Sequence, residues 1–316
     1  MKRATNRILD ALRGSRDSYL SGDYLGRITG TSRAAVWKQI RSLREKGYSI
    51  EGVPRLGYRL LSEPDLLDHD AVKNEGFYSY STLDSTNREA RRQAGNINSF
   101  FSVFVSEEQT RGRGRLERSW ASYPGRGLWF SLLLKPGRLN PATAAPVTLT
   151  AASVIASHFN RELHIPVKIK WPNDLLLKGK KMGGILTEMI SDPDGVKELI
   201  IGIGLNINHE ENDFPEEIRP GATSAFTFRG ERLDRTKLLL SLCKELEPAL
   251  CIFCHEGFEP FYQTWIEFNC TLGQKVTVNR GGEVIHGLAV SLDHEGNLVL
   301  EESSGKLRHI NYGEIL

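Results

Sequence analysis

Long apolar runs and thiols are both scarce in this chain. No stretch approaches the roughly 18 apolar residues of a membrane span, which argues against an integral membrane protein. The start, Met1-Lys2-Arg3-Ala4-Thr5-Asn6, is charged but is not followed by the apolar stretch of a signal peptide, so a cytoplasmic location is expected. Only four cysteines occur: Cys243, Cys251, Cys254 and Cys270. Cys251-Ile252-Phe253-Cys254-His255 matches the c-type haem attachment pattern on paper. Leu239, Leu242, Cys243, Leu246, Leu250, Cys251, Cys254 and Phe258 nevertheless fall at helical spacing. They read as one buried stripe in which cysteine serves as a small apolar residue. There is no internal repeat and no low-complexity tract.

What is present fits a soluble globular protein of two or three domains: 316 residues, 40% hydrophobic and 25% charged. The net charge of +2 conceals an asymmetry. Residues 1–60 hold thirteen Lys/Arg against five Asp/Glu, a net of +8, leaving −6 for the rest. A basic head on an acidic body suggests that the head alone meets a polyanion.

That head reads as three helices and a hairpin. Ile8, Leu9 and Leu12 mark the first helix; Ser21 caps a second that Gly30 stops. Ser32 caps a third, Arg33 to about Lys46, ended by Gly47. Its Val36, Ile40 and Leu43 share a face, leaving Arg33, Lys38, Arg41 and Ser42 outside and Trp37 near the boundary. Short alternating segments, Tyr48–Glu51 and Gly57–Leu60, join through Val53-Pro54-Arg55-Leu56. This is a winged helix-turn-helix, whose third helix enters a major groove while Arg55 touches phosphates. Such units also serve as plain packing modules; the charge favours DNA.

Ser62-Glu63-Pro64-Asp65 is the expected linker, and an α+β body follows. Strands are expected at Phe77–Leu83, Phe101–Ser106, Leu128–Leu134, Val167–Trp171, Gly184–Ile190 and Leu199–Asn208. Helices are expected at Ala142–Asn160, Asp234–His255 and Pro260–Phe268, with a small closed β module from about Thr271.

The densest chemistry lies in Gly112-Arg113-Gly114-Arg115-Leu116-Glu117-Arg118-Ser119-Trp120. Its arginine forks fit carboxylates and phosphates, its glycines let backbone approach a ligand, and the indole can cover a flat ring. A solvated basic loop or a nucleic-acid arm stays open as an alternative. No Gly-Lys-Ser/Thr follows, so it is not a Walker loop. Lys170-Trp171-Pro172-Asn173-Asp174-Leu175 reads as a strand-ending turn, or as groups gathered for a nucleotide or metal ion. Lys180 and Lys181 are placed in a turn before the strand opened by Gly183-Gly184, and Gly202-Ile203-Gly204 marks a strand that something approaches closely.

In their order, Ser85-Thr86-Asn87, Gln109 with Gly112–Trp120, Lys170–Leu175, Lys181–Leu186 and Gly202–Asn206 strongly resemble biotin–protein ligases. The likeness covers nearly the whole chain, and the head looks like that of members that combine ligase and biotin-operon repressor. It implies an α+β architecture of three parts. These are a winged helix-turn-helix (1–63), a mixed-sheet α/β catalytic domain of the biotin/lipoate ligase type (64–270) and a small SH3-like β-barrel (271–316). The implied reaction joins biotin to ATP as biotinyl-5′-AMP, with Mg²⁺ shielding the outer phosphates. Biotin then passes to a lysine of biotin carboxyl carrier protein. By motif, Ser85, Thr86, Asn87 and Gln109 bind the ureido ring, and the backbone of Arg113-Gly114-Arg115 closes over it. Lys181 meets the carboxylate and α-phosphate, with Arg115 and Arg118 supplying charge. Trp120 stacks on adenine, Asn206 bonds it, and Asn173 and Asp174 shape the nucleotide side or help hold the metal; no metal ligand is assigned with certainty.

Operator DNA falls to Ser32, Arg33, Lys38, Arg41 and Arg55, and a homodimer to the adenylate-bound state. The alternatives are a ligase with an idle head, a lipoate–protein ligase (the Gly-Arg-Gly-Arg run argues against it), and a pure ligand-sensing repressor. One departure stands out. Relatives often continue Arg-Gly-Arg where this chain has Leu116-Glu117-Arg118, which should stiffen the loop and lower its charge.

Overall fold

The computed structural model describes residues 2–45, 48–137 and 139–316. The chain divides into two compact units, residues 1–66 and 67–316.

The first unit runs α1 (Lys2–Gly14), α2 (Gly22–Thr29), α3 (Arg33–Glu45), β1 (Ser49–Val53) and β2 (Gly57–Ser62). Ser21 Oγ accepts the Tyr24 N–H at 3.1 Å to start α2, and Gly30 ends it at φ 67°. The expected stop of α3 at Gly47 lies outside the described residues. Ile8, Leu12, Leu25, Val36, Ile40, Leu43, Ile50 and Leu60 close one small core. Arg44 Nε donates to Ile50 O at 2.9 Å, tying α3 to the hairpin.

The second unit begins with α4 (His69–Asn74), β3 (Tyr78–Leu83), α5 (Thr86–Gln93), β4 (Phe101–Gln109) and β5 (Gly127–Leu134). Next come α6 (Pro141–Ala144), α7 (Val147–Arg161), β6 (Val167–Lys170), β7 (Asp174–Leu177), β8 (Lys180–Asp192) and β9 (Gly195–Asn206). The helices α8 (Ala225–Arg229), α9 (Arg235–Glu256) and α10 (Glu259–Phe268) follow. Seven strands form one mixed sheet, β3-β4-β5-β9-β8-β7-β6, in which only β3 and β4 run parallel. The two faces of β9 differ in kind. Leu199, Ile201, Ile203 and Leu205 join the large core with Phe159, Leu239 and Leu246 of α7 and α9. Ile200 faces the other way, packing with Ala90 and Ala94 near α5.

Strands β10 (Lys275–Arg280), β11 (Glu283–Leu292), β12 (Leu298–Glu301), β13 (Leu307–Ile310) and β14 (Glu314–Ile315) make a five-stranded antiparallel sheet ordered β13-β12-β11-β10-β14. Buried Trp171 fastens it to the larger sheet: its backbone N–H reaches Thr271 Oγ1 at 2.9 Å and its indole N–H reaches Gly296 O at 3.2 Å.

Several expectations change. The helical pattern 142–160 is two helices, because Pro146 has no N–H to continue a ladder and starts α7 instead. Residues 141–161 are also long and apolar enough to cross a membrane, but most of that stretch is buried inside the protein as a core helix. Lys180 and Lys181 lie on β8 rather than in a turn; Lys178 and Gly179, both at positive φ, make the turn. Asp174 already opens β7, and α4 and α5 had no counterpart in the pattern. In α9 the apolar stripe is buried at Leu239, Leu242, Cys243, Leu246 and Leu250, while Cys251 and Cys254 are only half-buried.

Candidate active site

A cavity of about 450 Å³ opens between β4, β8, β9 and the loop after β4, and every residue that the resemblance assigns to the ligase site lines it. Its inner end is polar and buried. Ser85, Thr86 and Asn87 lie where the chain turns from β3 into α5, each nearly closed to water. Gln109 Oε1 accepts the Thr86 backbone N–H at 2.8 Å and the Thr86 hydroxyl at 3.1 Å. Asn87 Nδ2 donates to Glu188 Oε2 at 3.2 Å and to Leu186 O at 3.3 Å. Ser131, fully buried on β5, stands 2.7 Å from Thr86 Oγ1 and 2.6 Å from Asn87 Oδ1. Gly202 makes room here, since a Cβ would fall 2.1 Å from Asn87 Oδ1.

The glycine–arginine run folds back on itself. Gly114 N–H donates to Arg118 O at 2.7 Å and Trp120 N–H to Gly112 O at 2.9 Å. Leu116 and Glu117 turn the tip at φ 54° and 57°, left-handed backbone that disfavours any residue with a Cβ. Glycine is missing where the geometry asks for it. Leu116 is also 71% exposed.

Each arginine of the run has a partner. Arg113 donates to Glu188 Oε1 at 3.1 Å. Arg115 donates to Asn173 Oδ1 at 2.9 Å and to Gly313 O at 2.8 Å, and burial lowers its pKa. Arg118 pairs with Glu314 at 2.7 Å, and that hydrogen bond holds the Glu314 carboxyl below its ordinary range. Lys170 joins them by donating to Ile315 O at 2.9 Å.

At the other end of the cavity, Trp120 lies against the glycines of β8 and β9. A Cβ on Gly204 would stand 2.7 Å from the indole, and one on Gly184 would stand 3.3 Å away. Lys181 Nζ sits 5.6 Å from the centre of that ring and 2.7 Å from Asp174 Oδ1, an ion pair rather than a directed hydrogen bond. Asn206 Nδ2 donates to Thr223 O at 3.1 Å, so its carbonyl oxygen is the group left for a ligand. Among the described residues no three His, Cys, Asp or Glu side chains gather as a metal site.

Sequence reasoning passed over Ser122, Ser131, Glu188 and His209. Ser131 had a signal, a lone hydroxyl in the apolar run Leu128–Leu134. His209 stacks on Phe214 at 4.8 Å, and burial lowers its pKa to about 4. Glu314 carried no local signal.

In the head, Ser32 Oγ accepts the Ala35 N–H at 3.2 Å, and Arg33, Lys38, Arg41 and Arg55 are exposed. Trp37 is 51% exposed, well outside the boundary that its spacing suggested.

Comparison with known proteins gives one family. The pattern described as "HTH domain" matches residues 5–59, "Biotin/lipoate A/B protein ligase family" matches 80–208, and "Biotin protein ligase C terminal domain" matches 271–316. The bifunctional ligase/repressor BirA of Bacillus subtilis is 35% identical over 298 residues, 92% of this chain and 91% of its own length. The Escherichia coli protein of the same name is 30% identical over 89% of this chain and 88% of its own. Among solved structures, the biotin protein ligase from Aquifex aeolicus in complex with biotin and ATP superposes with a TM-score of 0.65 at 31% identity, over 76% of this chain and 97% of its own. With its three segments matched in order and about nine-tenths of its length shared with two such relatives, the chain belongs to the family of bifunctional biotin–protein ligase/repressors.

Proposed function

We propose that this cytoplasmic protein biotinylates carrier proteins at the expense of ATP and represses biotin-synthesis genes when its adenylate accumulates. The observation that carries the reading is the convergence of dispersed motif residues on one cavity, polar at one end and aromatic and cationic at the other. The division of labour is a DNA-binding head (1–63), a catalytic segment (64–270) and a β module (271–316).

Biotin's ureido ring takes the buried end, where Ser85, Thr86, Asn87 and Gln109 offer donors and acceptors. In the first step a carboxylate oxygen bonds to the α-phosphorus of ATP, the α–β anhydride breaks and pyrophosphate leaves. Two anions must meet, so cations at the meeting point lower the barrier. Lys181 serves there with Arg113 and Arg115. Arg118 exchanges Glu314 for phosphate, since an ion pair this exposed is worth at most ~1 kcal/mol. Trp120 stacks on adenine, Asn206 accepts from its amino group, and Asn173 keeps Arg115 in place. Asp174 would offer a carboxylate to a Mg²⁺ carried by the nucleotide, and that ion would offset charge on the outer phosphates. In the second step the carrier lysine's neutral amine attacks the acyl carbon, AMP leaves and the amine gives up its proton. The folded-back loop shields the anhydride from water.

The adenylate-bound chain pairs as a homodimer, with exposed Leu116 part of what pairing covers, so that two heads grip a two-fold operator. Pairing must be tighter with ligand than without, or nothing switches.

The test is binding to DNA upstream of the source organism's biotin-synthesis genes, with and without biotin plus MgATP, beside biotin-dependent exchange of pyrophosphate into ATP. Both activities support the reading. Exchange without DNA binding leaves a ligase with an idle head. Lipoate outcompeting biotin reassigns the substrate, and DNA binding without exchange leaves a pure sensor.

A further inference from the structure

The outward face of α3 sets apolar side chains among its cations. Val36, Ile40 and Leu43 take the inner side and are 0–2% exposed. Arg33, Ala34, Trp37, Lys38 and Arg41 share the other side, all exposed. Ala34 and Trp37 are neighbours at i, i+3, so together they form a small apolar step on a basic surface. The Arg41 guanidinium lies 6.0 Å from the Trp37 ring centre, at the edge of the step.

An indole held half in water gains only when something covers it. The surrounding positive charge names the occupant's sign and disfavours a second copy of the same face. A polyanion with an apolar group at the right depth answers both demands. In the major groove the four bases differ in donors and acceptors, and only thymine adds a methyl group.

We propose that Ala34 and Trp37 form a seat for a thymine methyl in each operator half-site, making Trp37 a specificity-determining residue of the head. Arg33, Lys38 and Arg41 hold the flanking phosphates or a neighbouring guanine. This rests on the reading of the head as a repressor domain.

The experiment uses the full chain with biotin and MgATP, which first selects a duplex from a random-sequence pool. Each thymine of that duplex is then replaced singly by uracil, which removes the methyl and keeps the base pair. One or two positions per half-site should lose about fourfold in affinity, the equivalent of one buried methyl. Trp37→Ala should bind more weakly throughout and lose nothing further at those positions. Trp37→Phe, which keeps a ring, should retain part of the effect and serves as the readout if Trp37→Ala binds no duplex. Adenylation by either variant should be normal, which shows that the catalytic unit is intact, and an unchanged helical circular-dichroism signal shows that the head is folded. No uracil effect at any position, or an effect that persists unchanged in both variants, overturns the seat while leaving the head a DNA binder. Failure of the wild-type chain to retain any duplex overturns the repressor reading and the seat together.

Discussion

Lys181 Nζ stands 2.7 Å from Asp174 Oδ1, a cation on β8 held by a carboxylate on the neighbouring β7. The Lys181 side chain is 39% exposed, so the pair adds little to stability and fixes where the ammonium waits. Lys181→Ala should therefore lose adenylation by about 10²–10³-fold, the usual scale for removing a preorganised charge-stabilising donor. Thermal unfolding should barely move. Near-normal pyrophosphate exchange by a folded variant would remove Lys181 from the chemistry.

Gly204→Ala places a methyl 2.7 Å from the Trp120 ring, which is backed on its other contact by Gly184. The ring must shift, and overpacking of ~1–3 kcal/mol corresponds to a rise of about five- to 150-fold in KM for ATP. Biotin binding measured alone should change less, since Asn87 and Gly202 are untouched. Equal losses for both substrates would mean that Trp120 does not belong to the nucleotide side.

Glu117→Gly relieves left-handed backbone at φ 57°, and the folded protein should gain up to about 1 kcal/mol. The Glu117 side chain is 86% exposed and 3.9 Å from Arg113, so little else is lost. A looser tip should also release more adenylate to water, read as biotin-dependent ATP consumption without carrier. Greater stability with no added leakage would separate the stiffness of the tip from retention of the intermediate.

His209 contributes a pH dependence of defined sign. Burial lowers its pKa from 6.5 to about 4, against a rise from Asp213 and with smaller lowering by Arg126 and Arg235. Between those values the unfolded chain holds a proton that the folded chain refuses, so stability climbs with pH. The contribution is complete above about pH 6.5 and is lost progressively down to about 4. Its size is ~3 kcal/mol. His209→Gln should flatten that part of the curve in urea titrations from pH 4 to pH 7.5. Parallel losses in both proteins across the window would place the titrating group elsewhere.

Much of the architecture was legible because its causes are local. Val36, Ile40 and Leu43 declare a helix face by spacing, and the short unbroken apolar run Leu128–Leu134 reads as strand-like and forms a fully buried strand. The Gly112–Trp120 and Lys170–Leu175 segments stood out by composition, each open to a plainer reading, while Ser85, Thr86, Asn87, Gln109 and Asn206 entered only through the resemblance. Pro146 divides the long helical pattern and Ser131 interrupts an apolar strand; both signals are local, but the hydrophobic pattern around each is stronger. Glu314 is different in kind. It meets Arg118 across 196 residues of chain, and no periodicity or spacing reports a contact made only when two sheets pack. The left-handed backbone at Leu116 was equally hidden, because leucine gives no hint of it.

Strand β9 carries one more consequence. Its odd-numbered residues, Leu199 to Leu205, fill a core, where one apolar side chain can often stand in for another. Gly202 and Gly204 on the opposite face lie directly beneath Asn87 and Trp120, and there any added atom displaces a side chain of the site. A saturation-mutagenesis map from Ile201 to Leu205 would thus alternate between positions that accept other apolar residues and positions that accept no side chain at all. The most restrictive positions would be those whose side chain is a single hydrogen.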